Sequence, residues 1–186
     1  MKVIYLHHQE NELIKLATEN NRQAQQQIYT HFSPKMLGVC RQYIKDIHQA
    51  EDIMITAFMK VFVNIKNFEN KGSFEGWIRR IMVNECISFI RVQKKIKYVE
   101  DETYFEESFN NIESQFSTDD IQSLIDSLPD GYKTVFNLYA IEGFKHKEIA
   151  SMLEINEGTS KSQLSHARKM LQTQINKLKN YEYGTE

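Results

Sequence analysis

Only 7 glycines and 2 prolines punctuate 186 residues, and that scarcity constrains the fold more than any other feature of the chain. A sheet protein needs turn residues about every ten positions, since tight reversals call for a positive or a fixed φ. Helices need far fewer, so the fold class expected is all-α. The length suits one large domain or two small ones.

No apolar run approaches the roughly 20 residues of a membrane span. The N-terminus, MKVIYLHHQENELIKL, turns polar after Leu6, unlike a signal peptide. A cytoplasmic location without membrane insertion is therefore expected. Cys40 and Cys86, far apart and each in an apolar helical pattern, then read as reduced thiols that fill a core.

The formal net charge of -2 argues against a nucleic-acid partner only as an average. From Tyr98 to Tyr132 there are 10 acids and no Lys or Arg. From Lys66 to Lys97 the balance is roughly +5, and from Gly143 to Tyr181 roughly +4. Two basic blocks flank an acidic spacer, which divides the chain into an N-terminal helical domain (1–97), a flexible acidic linker (98–117) and a C-terminal domain (118–186).

Within the first domain, 10–46 reads as helix with a break at Ser33-Pro34, where Ser can cap and Pro can begin a new helix. The next helix, about 48–65, carries two apolar stripes. Met54, Phe58, Val61 and Ile65 form one; Ile55, Met59 and Phe62 form another beside it. One stripe holds a helix to its core, and the second, rimmed by Glu51 and Asp52, predicts a partner surface. A loop over 67–73 follows, with Ser73 placed to cap a helix running from Phe74 to about Lys95. Ile78, Met82 and Phe89 face inward on that helix, while Arg80, Asn84, Arg91 and Lys95 form a polar, basic line on one face.

In the last domain, Thr118 is placed to cap a helix that Pro129 ends. A second helix spans 132–142 and stops at Gly143. The strongest local signal is 145–175. A short helix with Ile149, Ala150 and Leu153 meets a tight connection, and a long helix follows, capped by Thr159 or Ser160, with Leu164, Ala167, Leu171 and Ile175 inward. This is the layout of a helix-turn-helix, whose second helix enters the DNA major groove. Its outward residues are Lys161, Ser162, Gln163, Ser165, His166 and Lys169, types suited to base edges and phosphates. The turn position that often holds Gly is Glu154, so Asn156 or Gly158 is expected to supply the left-handed residue.

Taken together, IYTHFSPKMLGVCRQYIKDIHQAEDIMITAFMKVFVNI, FEGWIRRIMVNECISFIRVQKK and SLPDGYKTVFNLYAIEGFKHKEIASMLEINEGTSKSQLSHARKML resemble the sigma factors of bacterial RNA polymerase, of the extracytoplasmic-function (ECF) group. The resemblance implies core RNA polymerase and promoter DNA as partners and makes an anti-sigma protein a candidate third. It assigns Glu51, Asp52, Ile55, Phe58, Met59 and Phe62 to polymerase contact. It assigns Phe68, Lys71, Phe74, Arg79, Arg80, Asn84, Arg91 and Lys95 to the minus-ten element, with the 67–76 loop capturing an unpaired base. The helix-turn-helix is implied as reader of the minus-thirty-five element, and the acidic linker as occupant of the polymerase's RNA exit route. Lys145 departs from the family's small hydroxyl cap.

An enzymatic reading finds little support. His48-x-x-Glu51 offers half of a carboxylate-bridged metal site, but no second Glu-x-x-His pair accompanies it. No Gly-rich phosphate loop occurs, and neither cysteine has an activating context. No catalytic residue, metal or cofactor is expected. The non-enzymatic rival is a stand-alone helix-turn-helix regulator that binds duplex DNA without polymerase.

Overall fold

The computed structural model describes the backbone of residues 2–100 and 118–182 and the side chains of 10–93 and 122–176. Among these residues all regular structure is helical, and the chain divides into two compact units, residues 1–95 and 96–186.

The first unit holds α1 (Lys2–Thr18), α2 (Arg22–Arg41), α3 (Ile47–Asn64) and α4 (Phe74–Glu100). Side-chain caps start α2 and α3: Ala24 N–H donates to Asn21 Oδ1 at 3.1 Å, and Gln49 N–H to Asp46 Oδ1 at 2.8 Å. Each cap satisfies an amide the helix itself cannot. The predicted break at Ser33-Pro34 is absent, for α2 continues through Pro34. Interior proline costs about 3 kcal/mol. Ile28, Phe32, Met36 and Val39 bury one stripe across it, at roughly 1.5–3 kcal/mol each, and packing wins.

Helix α3 buries Met54, Phe58 and Val61 as expected, and a 3-10 turn, Ile65–Asn67, adds Ile65. Helix α4 begins as predicted, with Gly76 N–H donating to Ser73 Oγ at 3.0 Å. Ile78 and Met82 are buried and Phe89 is only half-buried; Val83, Cys86 and Ile87 complete the inward face. Cys40 and Cys86 are free and buried. A hydrogen bond between them, reinforced by burial, pushes the Cys86 thiol well up. Helix α4 also runs on through Tyr98–Glu100, which the sequence placed in the linker. The rest of that predicted linker, 101–117, lies outside the described residues.

The second unit holds α5 (Thr118–Asp126), α6 (Asp130–Phe136), α7 (His146–Leu153) and α8 (Glu157–Glu182). Thr118 opens α5 as its first helical residue. The predicted 132–142 helix starts earlier, at Asp130, and widens into a π turn, Asn137–Ile141, closed by Glu142 N–H donating to Asn137 O at 3.0 Å. Gly143 stops it at φ 76°. Leu128, Val135, Leu138, Ile149, Leu164 and Ala167 form the core. Lys133 is 1% exposed, with Nζ 3.4 Å from Asp126 Oδ1.

Candidate nucleic-acid interface

The helix-turn-helix is present as α7, a turn and α8, with two corrections to its chemistry. Glu154 itself takes the left-handed conformation (φ 55°, ψ 43°), not Asn156 or Gly158. There its N–H reaches Ala150 O, as does that of Ile155 at 3.0 Å. Helix α8 begins at Glu157 rather than after a Thr159 or Ser160 cap, since Ser160 N–H already donates to Asn156 O at 3.1 Å. Ser160 instead is buried and pairs its hydroxyl with His146 Nδ1 at 3.0 Å, tying the start of α7 to α8. Lys145 cannot accept a bond from the α7 amides, so the start of that helix relies on Glu148, whose Oε2 accepts from Lys145 N–H at 2.7 Å.

Of the predicted reader residues, Lys161, Ser162, Ser165, His166 and Lys169 are exposed. Gln163 is not fully outward. It is half-buried, its amide lying where a Cβ on Gly131 would come within 3.5 Å. His166 stacks on Tyr132, ring centroids 5.6 Å apart and 17° between planes. Lys161 Nζ pairs with Glu157 Oε1 at 2.7 Å, a neutralisation that the expected phosphate contact did not include. Arg168 was missed. Its exposed guanidinium lies 5.5 Å from the centroid of the Tyr139 ring, and its place two turns after Lys161 was the available signal.

In the first unit, Arg80 and Asn84 are exposed on α4 and Arg91 is half-buried in line with them. Arg79 is half-buried and donates from Nη2 to Gln42 Oε1 at 3.4 Å. The Lys95 side chain lies outside the described residues. The loop before α4 turns through left-handed Asn70 (φ 54°) and Gly72 (φ 104°), with Lys71 exposed and paired to Glu69 at 2.6 Å. Phe74 is 1% exposed and touches Phe32 at 5.8 Å between centroids, so it belongs to the core and cannot receive a base. It forms the floor under half-buried Phe68 (5.0 Å) and Trp77 (5.7 Å, 15°). The accessible aromatic edge is therefore Phe68 with Trp77, both half-buried.

The second stripe on α3 is open. Ile55 is 49%, Met59 64% and Val63 77% exposed, with Asp52 exposed and Glu51 half-buried at the rim. Val63 extends the stripe beyond the predicted residues; its spacing of four from Met59 could have shown it. Phe58 is corrected. At 2% exposure, edge-on to Tyr29 at 4.9 Å, it is core and supports half-buried Phe62 at 6.1 Å. His48 and Glu51 approach only to 3.9 Å. No described group of three or more His, Cys, Asp or Glu is placed to hold a metal, and no described helix is long and apolar enough to cross a membrane.

A helix-turn-helix with a basic outer face stands in the same chain as a unit with an open apolar helix and an aromatic loop, features suited to a DNA-directed protein with a protein partner. Residues 28–96 match Sigma-70 region 2 and residues 118–171 match Sigma-70, region 4. The chain is 32% identical over 135 residues to RNA polymerase sigma factor SigV of Bacillus subtilis, covering 73% of this chain and 81% of that one. It is 30% identical over 180 residues to ECF RNA polymerase sigma factor SigW of the same organism, covering 89% and 96%. The sigma factor RpoE of Bartonella quintana, solved with the anti-sigma factor NepR, shares the fold at TM-score 0.51 and 21% identity, over 81% of this chain and 96% of that one. The chain belongs to the ECF group of bacterial RNA polymerase sigma factors.

Proposed function

We propose that the two units divide the work of a sigma factor, which directs core RNA polymerase to promoters and takes part in initiation. The open stripe on α3, Ile55, Met59, Phe62 and Val63, docks on core polymerase, with Glu51 and Asp52 as its polar rim. The Phe68–Trp77 edge takes an unpaired base of the minus-ten element, and Arg80, Asn84 and Arg91 hold the opened strand. Helix α8 reads the minus-thirty-five element as duplex through Lys161, Ser162, Ser165, His166 and Lys169, with Arg168 on the flanking phosphates. The first domain comprises α1–α4, with α4 ending at Glu100, and the second comprises α5–α8, opening at Thr118.

The observation that carries this reading is the open α3 stripe in the same chain as the helix-turn-helix. A stand-alone regulator that binds duplex DNA as a dimer could use an apolar helix face to pair its copies, but it has no use for a basic, aromatic loop beside that face. The chain is a regulatory subunit without catalysis of its own, working in the cytoplasm where polymerase is found. An anti-sigma protein would act by covering the same surfaces.

Run-off transcription with core polymerase tests the reading. Promoter-dependent transcripts are expected only when both proteins are present. Nanomolar, sequence-specific duplex binding by the isolated chain, together with no transcript from the mixture, would replace this function with that of a stand-alone regulator.

A further inference from the structure

Glu157 opens α8 at the surface, in the turn that a reader helix presents first to the groove. Its Oε1 lies 2.7 Å from Lys161 Nζ, one turn on. The hydrogen bond from Lys161 and that residue's charge, with smaller help from His146 and Lys147 of α7, hold the carboxyl below its usual range. A surface glutamate is ionised at neutral pH in any case. A first-turn acid suits the helix dipole, yet here it stands among the cations that would meet a polyanion.

The chemistry of the groove decides what such a group can do. A carboxylate only accepts hydrogen bonds. In the major groove guanine presents acceptors and thymine an acceptor and a methyl, adenine an amino donor beside its N7 acceptor, and cytosine an amino donor alone. A carboxylate at the base edges is thus best accommodated at cytosine, less well at adenine, and repelled by guanine and thymine. Against the phosphates it is unfavourable everywhere. It also occupies Lys161, which would otherwise be an anchor for any duplex.

We infer that Glu157 is a specificity-determining residue of the reader helix, working chiefly by exclusion: it withholds Lys161 from indiscriminate phosphate binding and admits an amino-bearing base edge, cytosine ahead of adenine, where guanine and thymine are refused. When Glu157 turns to that cytosine, Lys161 is released to the O6 and N7 acceptors of a neighbouring guanine. The inference rests on α8 being the reader of duplex DNA.

Two measurements test it. Holoenzyme assembled with the cognate core polymerase selects from a duplex library randomised upstream of the minus-ten element, and the full-length chain titrates a scrambled duplex across a salt series. Wild type should select cytosine at one position. Glu157→Gln should lose that preference and bind scrambled duplex about five-fold tighter, the worth of one charge a few ångströms from a phosphate in water. Its salt dependence should steepen by roughly one released ion. Glu157→Asp, which keeps the charge, should retain the wild-type behaviour. Unchanged selection and unchanged scrambled affinity in Glu157→Gln would overturn the inference, as would equal weakening of both, which marks a merely structural acid. Lys169→Ala separates the two levels. If it weakens every duplex while Glu157→Gln changes nothing, only this inference fails; if it too changes nothing, α8 is not the reader.

Discussion

Adjacent residues on α3 should respond oppositely to substitution. Met59 is 64% exposed and Phe58 2%, so one helix carries an open apolar residue and a core residue side by side. Met59→Glu places a charge in solvent, and surface changes of this kind alter folding by less than about 0.5 kcal/mol. If Met59 sits centrally in the polymerase interface, a charge there costs the 2 kcal/mol or more of a hot spot, roughly a thirty-fold loss of affinity. Phe58→Ala removes a ring that packs against Tyr29 and Phe62 and should cost about 3–5 kcal/mol. In a domain of this size that lowers Tm by at least about 12 °C. Circular-dichroism melts and fluorescence-anisotropy titration of labelled chain with core polymerase read the two quantities separately. A large drop in Tm for Met59→Glu, or polymerase affinity that survives it, would refute the division of α3 into two faces.

Glu154→Gly should stabilise the second unit by about 0.5–1 kcal/mol, the relief of a left-handed L-residue less the entropy glycine loses on folding; a chemical-denaturation series checks it. Lys133→Met should be neutral or stabilising, because a buried charge is exchanged for apolar packing, while Asp126→Ala should cost about 1–3 kcal/mol by stranding the Lys133 ammonium, discounted because Asp126 is itself 43% exposed. Equal destabilisation by both in thermal melts would contradict this. Ser165→Ala should weaken holoenzyme binding at particular promoter positions by about 1–3 kcal/mol, whereas Lys169→Ala should weaken all sequences alike and flatten the salt slope; anisotropy against a panel of point-substituted promoters distinguishes them.

The parts of the fold legible in the sequence were those set by local chemistry. Ser73 had to cap a helix because a hydroxyl three residues before an amide satisfies it wherever the chain goes. The α3 stripes followed from spacing alone, and that spacing already set Phe58 among Met54, Val61 and Ile65, the buried row. Its assignment to polymerase contact came from the family resemblance, which names a stretch of helix but not its sides. Phe74 was misplaced for the same reason. Other features depended on distant partners. The Pro34 break failed because α2 is kept continuous by the burial of Ile28, Phe32, Met36 and Val39 in the tertiary fold, which no local signal reports. Ser160 was read as a cap, yet its hydroxyl is spent on His146, fourteen residues away. Gln163 lies against α6 at Gly131, close enough that an added Cβ would touch its amide at 3.5 Å, a contact visible only when the two helices meet.

The near-neutral net charge is set by composition, with 10 of the acids between Tyr98 and Tyr132, but several cations are also matched locally. Cations of the first unit are matched at short range: Lys35 with Glu75 at 2.5 Å, Lys60 with Glu85 at 2.5 Å and Lys71 with Glu69 at 2.6 Å. Lys161 with Glu157 does the same on the reader helix. Exposed pairs of this sort are worth only about 0–1 kcal/mol, so a phosphate held in position can take the lysine at little cost. A phosphate met at random must first displace the carboxylate and then bear its repulsion, which lowers the gain from each lysine engaged. On the proposed function, neither unit alone is expected to gather enough such gains to settle on duplex DNA. Held on polymerase at the promoter's spacing, each would raise the effective concentration of DNA for the other, and the exchanges would become favourable together. The balanced charge would then make promoter binding conditional on docking through α3: Met59→Glu, which blocks that docking, should abolish promoter binding in the presence of core polymerase, and anisotropy showing promoter affinity unchanged by it would refute the dependence.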